Sequence, residues 1–336
     1  MDKELNELLD KANRIFLENF PNEVVFGRCI FLSWYCKRGT CKFCFRSTIE
    51  HKERYESNAR RTPASIYTDA ILGKNLGWEL EFLTGGYGMY DDSGFDNFVE
   101  NVRIISEIFQ KKIWINVGVL AKEELLKLKP YVEGICASIE TVNTKLHKEL
   151  CPDKNIKEYE DFLDTSEELG FRKSITIIIG VGETKDDFAL LEKFIAKHKL
   201  DRITFYALKP VKGTMFTRSP DPDYYAWWVA STRIKFPKMR IAAGLTPKNP
   251  DFAENIARAG VNIITKFPAV KEFGSEKAML VEALVRKAGR KFISSLTVMP
   301  KIDWSKEVDR LDVGSYPKQK IKDKLGEYVK DMSRSR

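Results

Sequence analysis

Cys36, Cys41 and Cys44 lie within the run FLSWYCKRGTCKFCFRS. Thiolates are soft ligands, and this spacing lets one loop wrap a metal centre. Three thiolates leave a zinc ion or a four-iron cluster one ligand short. The fourth position then comes from a distant residue or stays open for chemistry. Cys29, Cys136 and Cys151 are scattered through the chain and do not read as a disulfide framework. Metal ligation in a reducing, cytoplasmic compartment fits them better. With only three histidines, a multi-histidine metal site is not expected.

Other residues fall where such a centre would need neighbours. GGYG, Gly85–Gly88, supplies small residues that let a backbone approach a ligand closely. Cys136, Ser138 and Glu140 recur at every second residue of a strand and so share one face. A thiol, a hydroxyl and a carboxylate together suit a polar cavity better than a packed core. Arg28 and Arg46 flank the cysteine loop and offer cations for a carboxylate or phosphate. Tyr35, Tyr87 and Tyr90 are expected on the rim of the same opening, and Tyr206 and Lys209 at another part of it. Buried cysteine is an ordinary small apolar filler, the plain reading for Cys29. Cys136 would look into the cavity, and Cys151, before a proline in a polar loop, would reach its mouth. Trp227 and Trp228 fall in a helix and read as outer packing.

These residues must be held by elements, and the chain alternates strands and helices. Strands are expected at 24–34, 78–83, 112–120, 131–140 and through SITIIIGVG, then at DRITFYALKP, KMRIAAGL and VNIITKF. Helices separate them, including 62–76, 158–170 and 184–198, the last capped by Thr184 with Asp187 three residues on. The nearly all-apolar SITIIIGVG suits a parallel sheet covered by helices. About eight strand–helix units predict a closed α/β barrel, with chemistry at the C-terminal strand ends, where the cysteine loop falls. A doubly wound sheet would call for GxGxxG after the first strand, which is absent. The expected layout is an N-terminal helical segment over 1–22, the barrel over 23–270 and a basic C-terminal extension over 271–336. The 336 residues carry net charge +8, with no zinc finger, lysine array or helix-turn-helix to suggest nucleic acid. The longest apolar run is too short to span a bilayer, and the charged N-terminal helix does not read as a signal peptide.

The cysteine loop resembles the signature of radical S-adenosylmethionine enzymes. The usual spacing there is C-x3-C-x2-C; here it is C-x4-C-x2-C, with Phe43 as the aromatic before the last cysteine. The resemblance implies a [4Fe-4S] cluster on Cys36, Cys41 and Cys44. It also implies S-adenosylmethionine on its open iron and a 5′-deoxyadenosyl radical as the reactive species. Gly85, Gly86 and Tyr87 match the segment that receives the amino group of S-adenosylmethionine. Ser138 and Glu140 match positions near its ribose. Gly180 and Gly182, in IGVGET, match the turn beside adenine, and FYALKPVKGT matches the sixth-strand segment. The likeness covers about residues 20–265 and is nearest the biotin-synthase-like branch. A structural zinc site, with Cys29 or a distant residue as fourth ligand, is the alternative.

Biotin synthase holds a second, two-iron cluster on three cysteines and an arginine. Arg240 matches the arginine, but Leu83, Trp114 and Ser174 stand near the cysteine positions. Biotin synthesis is therefore not expected. Cys29, Cys136 and Cys151 remain available for a second iron–sulfur cluster. Phe162 stands where related enzymes have an arginine for the S-adenosylmethionine carboxylate, leaving Lys148, Lys154, Lys157 or Arg172 for that role. The expected reaction is sulfur insertion into a protein-bound octanoyl chain, as in archaeal two-protein lipoyl synthases. It implies a ferredoxin-like electron donor, a second radical S-adenosylmethionine protein and an acidic lipoyl-carrier protein. One alternative is carbon-skeleton chemistry in making the guanylylpyridinol cofactor of iron-only hydrogenase. A non-enzymatic iron–sulfur scaffold is the other.

Overall fold

The structure, a computed structural model, describes residues 3–49, 59–89, 94–245 and 249–334. Eight parallel strands form the barrel: β1 (Glu23–Phe31), β2 (Glu79–Thr84), β3 (Ile113–Asn116), β4 (Val132–Glu140), β5 (Arg172–Ile179), β6 (Arg202–Ala207), β7 (Arg240–Gly244) and β8 (Ile263–Thr265). Each pairs with the next, and β8 pairs with β1 to close the ring. The strands carry runs such as SITIII because helices cover their outer side.

The expected strand order holds, but β1 and β3 are shorter than the apolar runs suggest. After Phe31 the chain leaves the sheet for the cysteine loop, and Ser33 makes an isolated bridge to Arg60. The helices that position the site are α1 (Lys3–Asn19), α2 (Pro63–Asn75), α3 (Phe95–Phe109), α4 (Lys122–Leu128), α5 (Thr144–Leu150) and α6 (Ile156–Glu168). They continue with α7 (Phe188–His198), α8 (Pro222–Lys235) and α9 (Phe252–Arg258). Thr184 and Asp187 meet as expected: the Thr184 amide donates to the Asp187 carboxylate at 2.9 Å, ahead of α7. Trp227 and Trp228 pack edge-on against Phe188, in outer packing.

Helix α1 buries Leu5, Leu9, Ala12 and Phe16 on one face and lies against α8 and α9. Phe16 sits 3.6 Å beneath the guanidinium of the buried Arg290. The C-terminal part is more ordered than its charged sequence suggests. It forms α10 (Glu276–Lys287), the short β9 (Lys291–Phe292) against Glu23–Val24, α11 (Trp304–Asp309) and α12 (Lys318–Arg334). Helix α12 buries Ile321, Leu325 and Met332 and packs on α2. No helix among the described residues is long and apolar enough to cross a membrane.

Three register shifts shape the barrel interior. Arg28 stands opposite Leu80 and Cys29 opposite Phe82, so Glu81 is an extra residue in β2. A bulge of this kind turns neighbouring side chains to the same side. The Glu81 carboxylate bonds Cys29 and Tyr206, while Phe82 stacks under Arg202. Shifts also occur between Ile113 and Trp114 and between Ala137 and Glu140.

Candidate active site

The cysteine loop leaves β1 and folds back over the C-terminal end of β2. The Lys37 amide donates to the Tyr87 carbonyl at 2.8 Å, docking the loop on GGYG. A Cβ on Gly86 would stand 1.8 Å from the Tyr35 carbonyl oxygen and 2.6 Å from the Cys36 Cβ. Glycine is what lets the two segments touch.

Cys36, Cys41 and Cys44 line one cavity of about 130 Å³. Gly85, Gly86, Tyr87, Ser138 and Glu140 share its wall, so five expected cofactor neighbours meet the cysteine loop. Phe43 lines it as well. Gly180 and Gly182 do not line it; they have φ +100° and +119° in the turn after β5. The Glu183 carboxylate accepts from the Gly180 and Val181 amides at 2.7 and 2.9 Å, fixing that turn. Tyr90, expected on the rim, lies outside the described residues.

The electrostatics centre on Glu140 and Lys154. Glu140 ends β4 at φ +67°, a conformation that a non-glycine residue holds only when its surroundings fix it. Its carboxylate accepts from Lys154 Nζ at 2.7 Å, and that ammonium also donates to the Ser138 carbonyl at 2.8 Å. Burial would lower the Lys154 pKa, but Glu140, Tyr159 and the Cys41 and Cys151 thiols outweigh it, so it is raised. Ser138 Oγ donates to Asn116 Oδ1 at 2.9 Å.

A second cation, Arg38, was not singled out in the sequence. It lines the cavity, forks onto Glu158 at 2.7 and 2.9 Å and stacks 3.8 Å from the centre of the Tyr87 ring. Its place two residues after Cys36 was the available signal. Of Lys148, Lys154, Lys157 and Arg172, the four expected to serve the S-adenosylmethionine carboxylate, Lys154 alone is in the cavity wall. Lys157 pairs with Asp161 on the outer face, Arg172 pairs with Glu133 and Asp201 at the opposite end of β5, and Lys148 is exposed. Phe162 is buried in the core.

The other cysteines occupy two places. Cys151 is buried beside Cys41, in an apolar group with Leu150, Val181 and Leu208. A hydrogen bond from the Cys151 thiol, helped by Lys154 and opposed by burial, holds the Cys41 thiol below its ordinary value. Burial pushes Cys44 up. Cys29 and Cys136 lie deeper, packed with Phe82 and Trp114. Cys29 Sγ donates to Glu81 Oε2 at 2.9 Å, and burial, with Glu81, pushes its pKa up to about 12. Cys136 is also raised by burial. The expectation that Cys136 faces the same open cavity as Ser138 and Glu140 is corrected: it is 1% exposed in the barrel floor.

Three further placements differ from the sequence reading. Arg28 points out of the barrel and forks onto Asp69 of α2 at 2.9 and 3.0 Å, where Arg61 joins it. Arg240 pairs with Glu79 at 2.8 Å, at the N-terminal ends of β7 and β2, away from the cysteine loop. The interior cation is instead Arg202, wedged 4.2 Å from the Trp114 ring centre and 4.4 Å from that of Phe82. Tyr206 and Lys209 line a neighbouring cavity, and Arg46 lines the cysteine cavity.

Among the described residues, no three His, Cys, Asp or Glu side chains meet at a single metal-sized point. The three thiols line one cavity and are soft donors of the kind an iron–sulfur cluster takes. Lys154, Arg38, Glu140 and the glycine backbone offer partners of both signs beside them. The donor set fits an iron–sulfur cluster with a charged ligand beside it.

The comparisons agree. Residues 32–195 match the family model of the radical SAM superfamily. An uncharacterised protein of Methanocaldococcus jannaschii is 35% identical over 299 residues, covering 87% of this chain and 82% of that one. The biotin synthase of Clostridium tetani is 26% identical over 276 residues, 78% of this chain and 81% of that one. The crystal structure of methylornithine synthase (PylB) superposes with TM-score 0.68 at 24% identity, covering 79% and 78% of the two chains. The chain belongs to the radical S-adenosylmethionine superfamily, and within it is similar, at low identity, to biotin synthases.

Proposed function

We propose that this protein is a single-cluster radical S-adenosylmethionine enzyme that remakes a carbon skeleton. Chemistry of the kind needed to build the guanylylpyridinol cofactor of iron-only hydrogenase is the nearest example. The observation that carries the reading is the placement of the spare cysteines. Cys151 is buried in the apolar group that Cys41 packs against, while Cys29 bonds Glu81 and shares the barrel floor with Cys136, Phe82 and Trp114. Two thiols among aromatic rings make a poor cradle for a sacrificial sulfur cluster. Sulfur insertion into octanoyl chains, the reaction expected from the sequence, therefore loses its donor in this chain.

In this reading Cys36, Cys41 and Cys44 hold the cluster. When bound, the group would supply one-electron reductive cleavage of S-adenosylmethionine and, through it, hydrogen-atom abstraction from substrate. The chain's own residues orient the ligand. Gly85 and Gly86 allow close backbone approach, Glu140 and Ser138 receive hydroxyls, and Lys154 and Arg38 face the carboxylate. Phe43 lines both this cavity and its neighbour, so the reacting ends meet across one ring. An external electron donor of ferredoxin type would supply the electron that this cleavage consumes.

The test is anaerobic iron and sulfide analysis with EPR, on the wild type and on the Cys36→Ala/Cys41→Ala/Cys44→Ala variant. The reading predicts one cluster in the wild type, none in the variant, and no sulfide consumed as 5′-deoxyadenosine forms. A cluster signal that survives in the variant would overturn it and restore sulfur insertion.

A further inference from the structure

Beside the cysteine cavity is a second one of about 340 Å³, over the ends of β6, β7 and β8. Its body is apolar, with Phe43, Ile178, Leu208, Leu245 and Pro268 in the wall. Its charged lining residues are Lys209 and Lys266, and no carboxylate lines it among the described residues. Neither ammonium makes an ion pair with a described residue.

Lys266 is specially held. It follows β8 at φ +67°, so its side chain leaves a left-handed turn. Its ammonium lies 4.4 Å from the Tyr206 ring centre and 5.4 Å from that of Phe31. Gly244 makes room for this arrangement: a Cβ there would stand 2.9 Å from Tyr206 Cδ1 and 3.2 Å from Lys266 Cγ. Aromatic faces attract the cation without neutralising it. The buried carboxylate of Glu81 is already met by Tyr206 Oη at 2.7 Å, by Cys29 and by the Thr265 hydroxyl.

We infer that this cavity takes a small molecule with one anionic group, carboxylate or phosphate, on an apolar body. The anion sits between Lys266 and Lys209, and the body lies along the wall toward Phe43. A zwitterionic amino acid is disfavoured, because its ammonium would meet two lysines and no described carboxylate. This inference deepens the proposed function by giving the substrate's chemical class, and it rests on that reading for calling the ligand a substrate.

The experiment is calorimetric titration of the full-length, cluster-reconstituted protein with S-adenosylmethionine present. The probes are 4-phenylbutyrate, 4-phenylbutyl phosphate and 4-phenylbutylamine. Binding of either anion, with the amine at least tenfold weaker, is expected; which anion binds identifies the group. Lys266→Gln should weaken the anion at least tenfold and Lys266→Arg should restore most of it. Should Lys266→Gln not fold, Lys209→Gln and the anion–amine comparison decide. Amine binding as tight as that of both anions, or loss under twofold in folded Lys266→Gln, overturns the inference. The readout does not depend on turnover. Protein that binds the anion through Lys266 yet never yields 5′-deoxyadenosine sinks the proposed function and leaves this site standing.

Discussion

Replacing Gly86 with alanine places a Cβ 1.8 Å from the Tyr35 carbonyl oxygen and 2.6 Å from the Cys36 Cβ. Neither neighbour is the far end of a flexible side chain; both belong to the loop that carries the cluster thiols. To reach ordinary contact distance, the two segments must part by roughly 1.5 Å, which a close-packed interior resists. Overpacking of this kind costs about 1–3 kcal/mol. In a large domain that lowers the melting temperature by roughly 2–12 °C. The functional loss should be larger, because misplacing a reacting group by about 1 Å costs on the order of a hundredfold. Three measurements follow on Gly86→Ala: thermal melting, iron bound after anaerobic reconstitution, and 5′-deoxyadenosine formation. The control is Gly326→Ala in α12, where a Cβ meets nothing within 4 Å. That variant should gain up to about 1 kcal/mol from helix propensity. A Gly86→Ala protein with wild-type melting, iron content and activity would refute the close-approach argument.

Glu140→Gln removes one side of the cavity's ion pair and leaves the Lys154 ammonium with the Ser138 carbonyl. It should cost about 3–5 kcal/mol in urea unfolding and weaken S-adenosylmethionine binding; unchanged values for both would remove Glu140 from its assigned role. Asp69→Asn leaves Arg28 and Arg61 without their shared buried partner and should destabilise by a similar amount, about 3–5 kcal/mol. Burial would raise the Asp69 pKa, but Arg28 and Arg61 outweigh it and hold it below the ordinary carboxylate value. A depressed folded pKa means stability that is fully present above the unfolded value, near 3.9, and lost as pH falls through the folded one. Acid titration of stability should therefore be shallower in Asp69→Asn than in wild type, by up to about 1.4 kcal/mol per pH unit; parallel curves would show that the triad does not titrate with folding.

The barrel was legible because its strands are apolar runs at regular spacing with helices between. The cysteine loop was legible because three thiols in nine residues have few other uses. What the sequence hid came from register and depth. Alternation predicts one face for Cys136, Ser138 and Glu140, but a register shift falls between Ala137 and Glu140, and four residues at about 3.3 Å each put Cys136 well below Glu140. It lies among Phe82 and Trp114 instead of in the open cavity. The bulge at Glu81 turns both Glu81 and Phe82 inward, which strict alternation forbids. Arg28 and Arg240 were plausible cavity cations by position, yet Asp69 and Glu79 claim them from other elements. Such partners are distant in sequence and leave no local trace. Arg38 and Lys266 were missed for a related reason: each owes its setting to loop geometry and aromatic neighbours supplied by other segments.

The way β1 is stitched into the sheet also sets an order of assembly. This strand, which launches the cysteine loop, takes partners from the far end of the chain. Thr265 donates to the Gly27 carbonyl across 238 residues, and the Phe26 amide donates to Ser294 across 268. Contacts this remote form late, after the loop-closure entropy between them has been overcome. During synthesis this strand emerges 238 residues before Thr265 and 268 before Ser294, so it is fully clasped only after those partners follow. Until those partners arrive, the three thiols are tethered to an unfinished scaffold, and the ring that fixes their positions is still open.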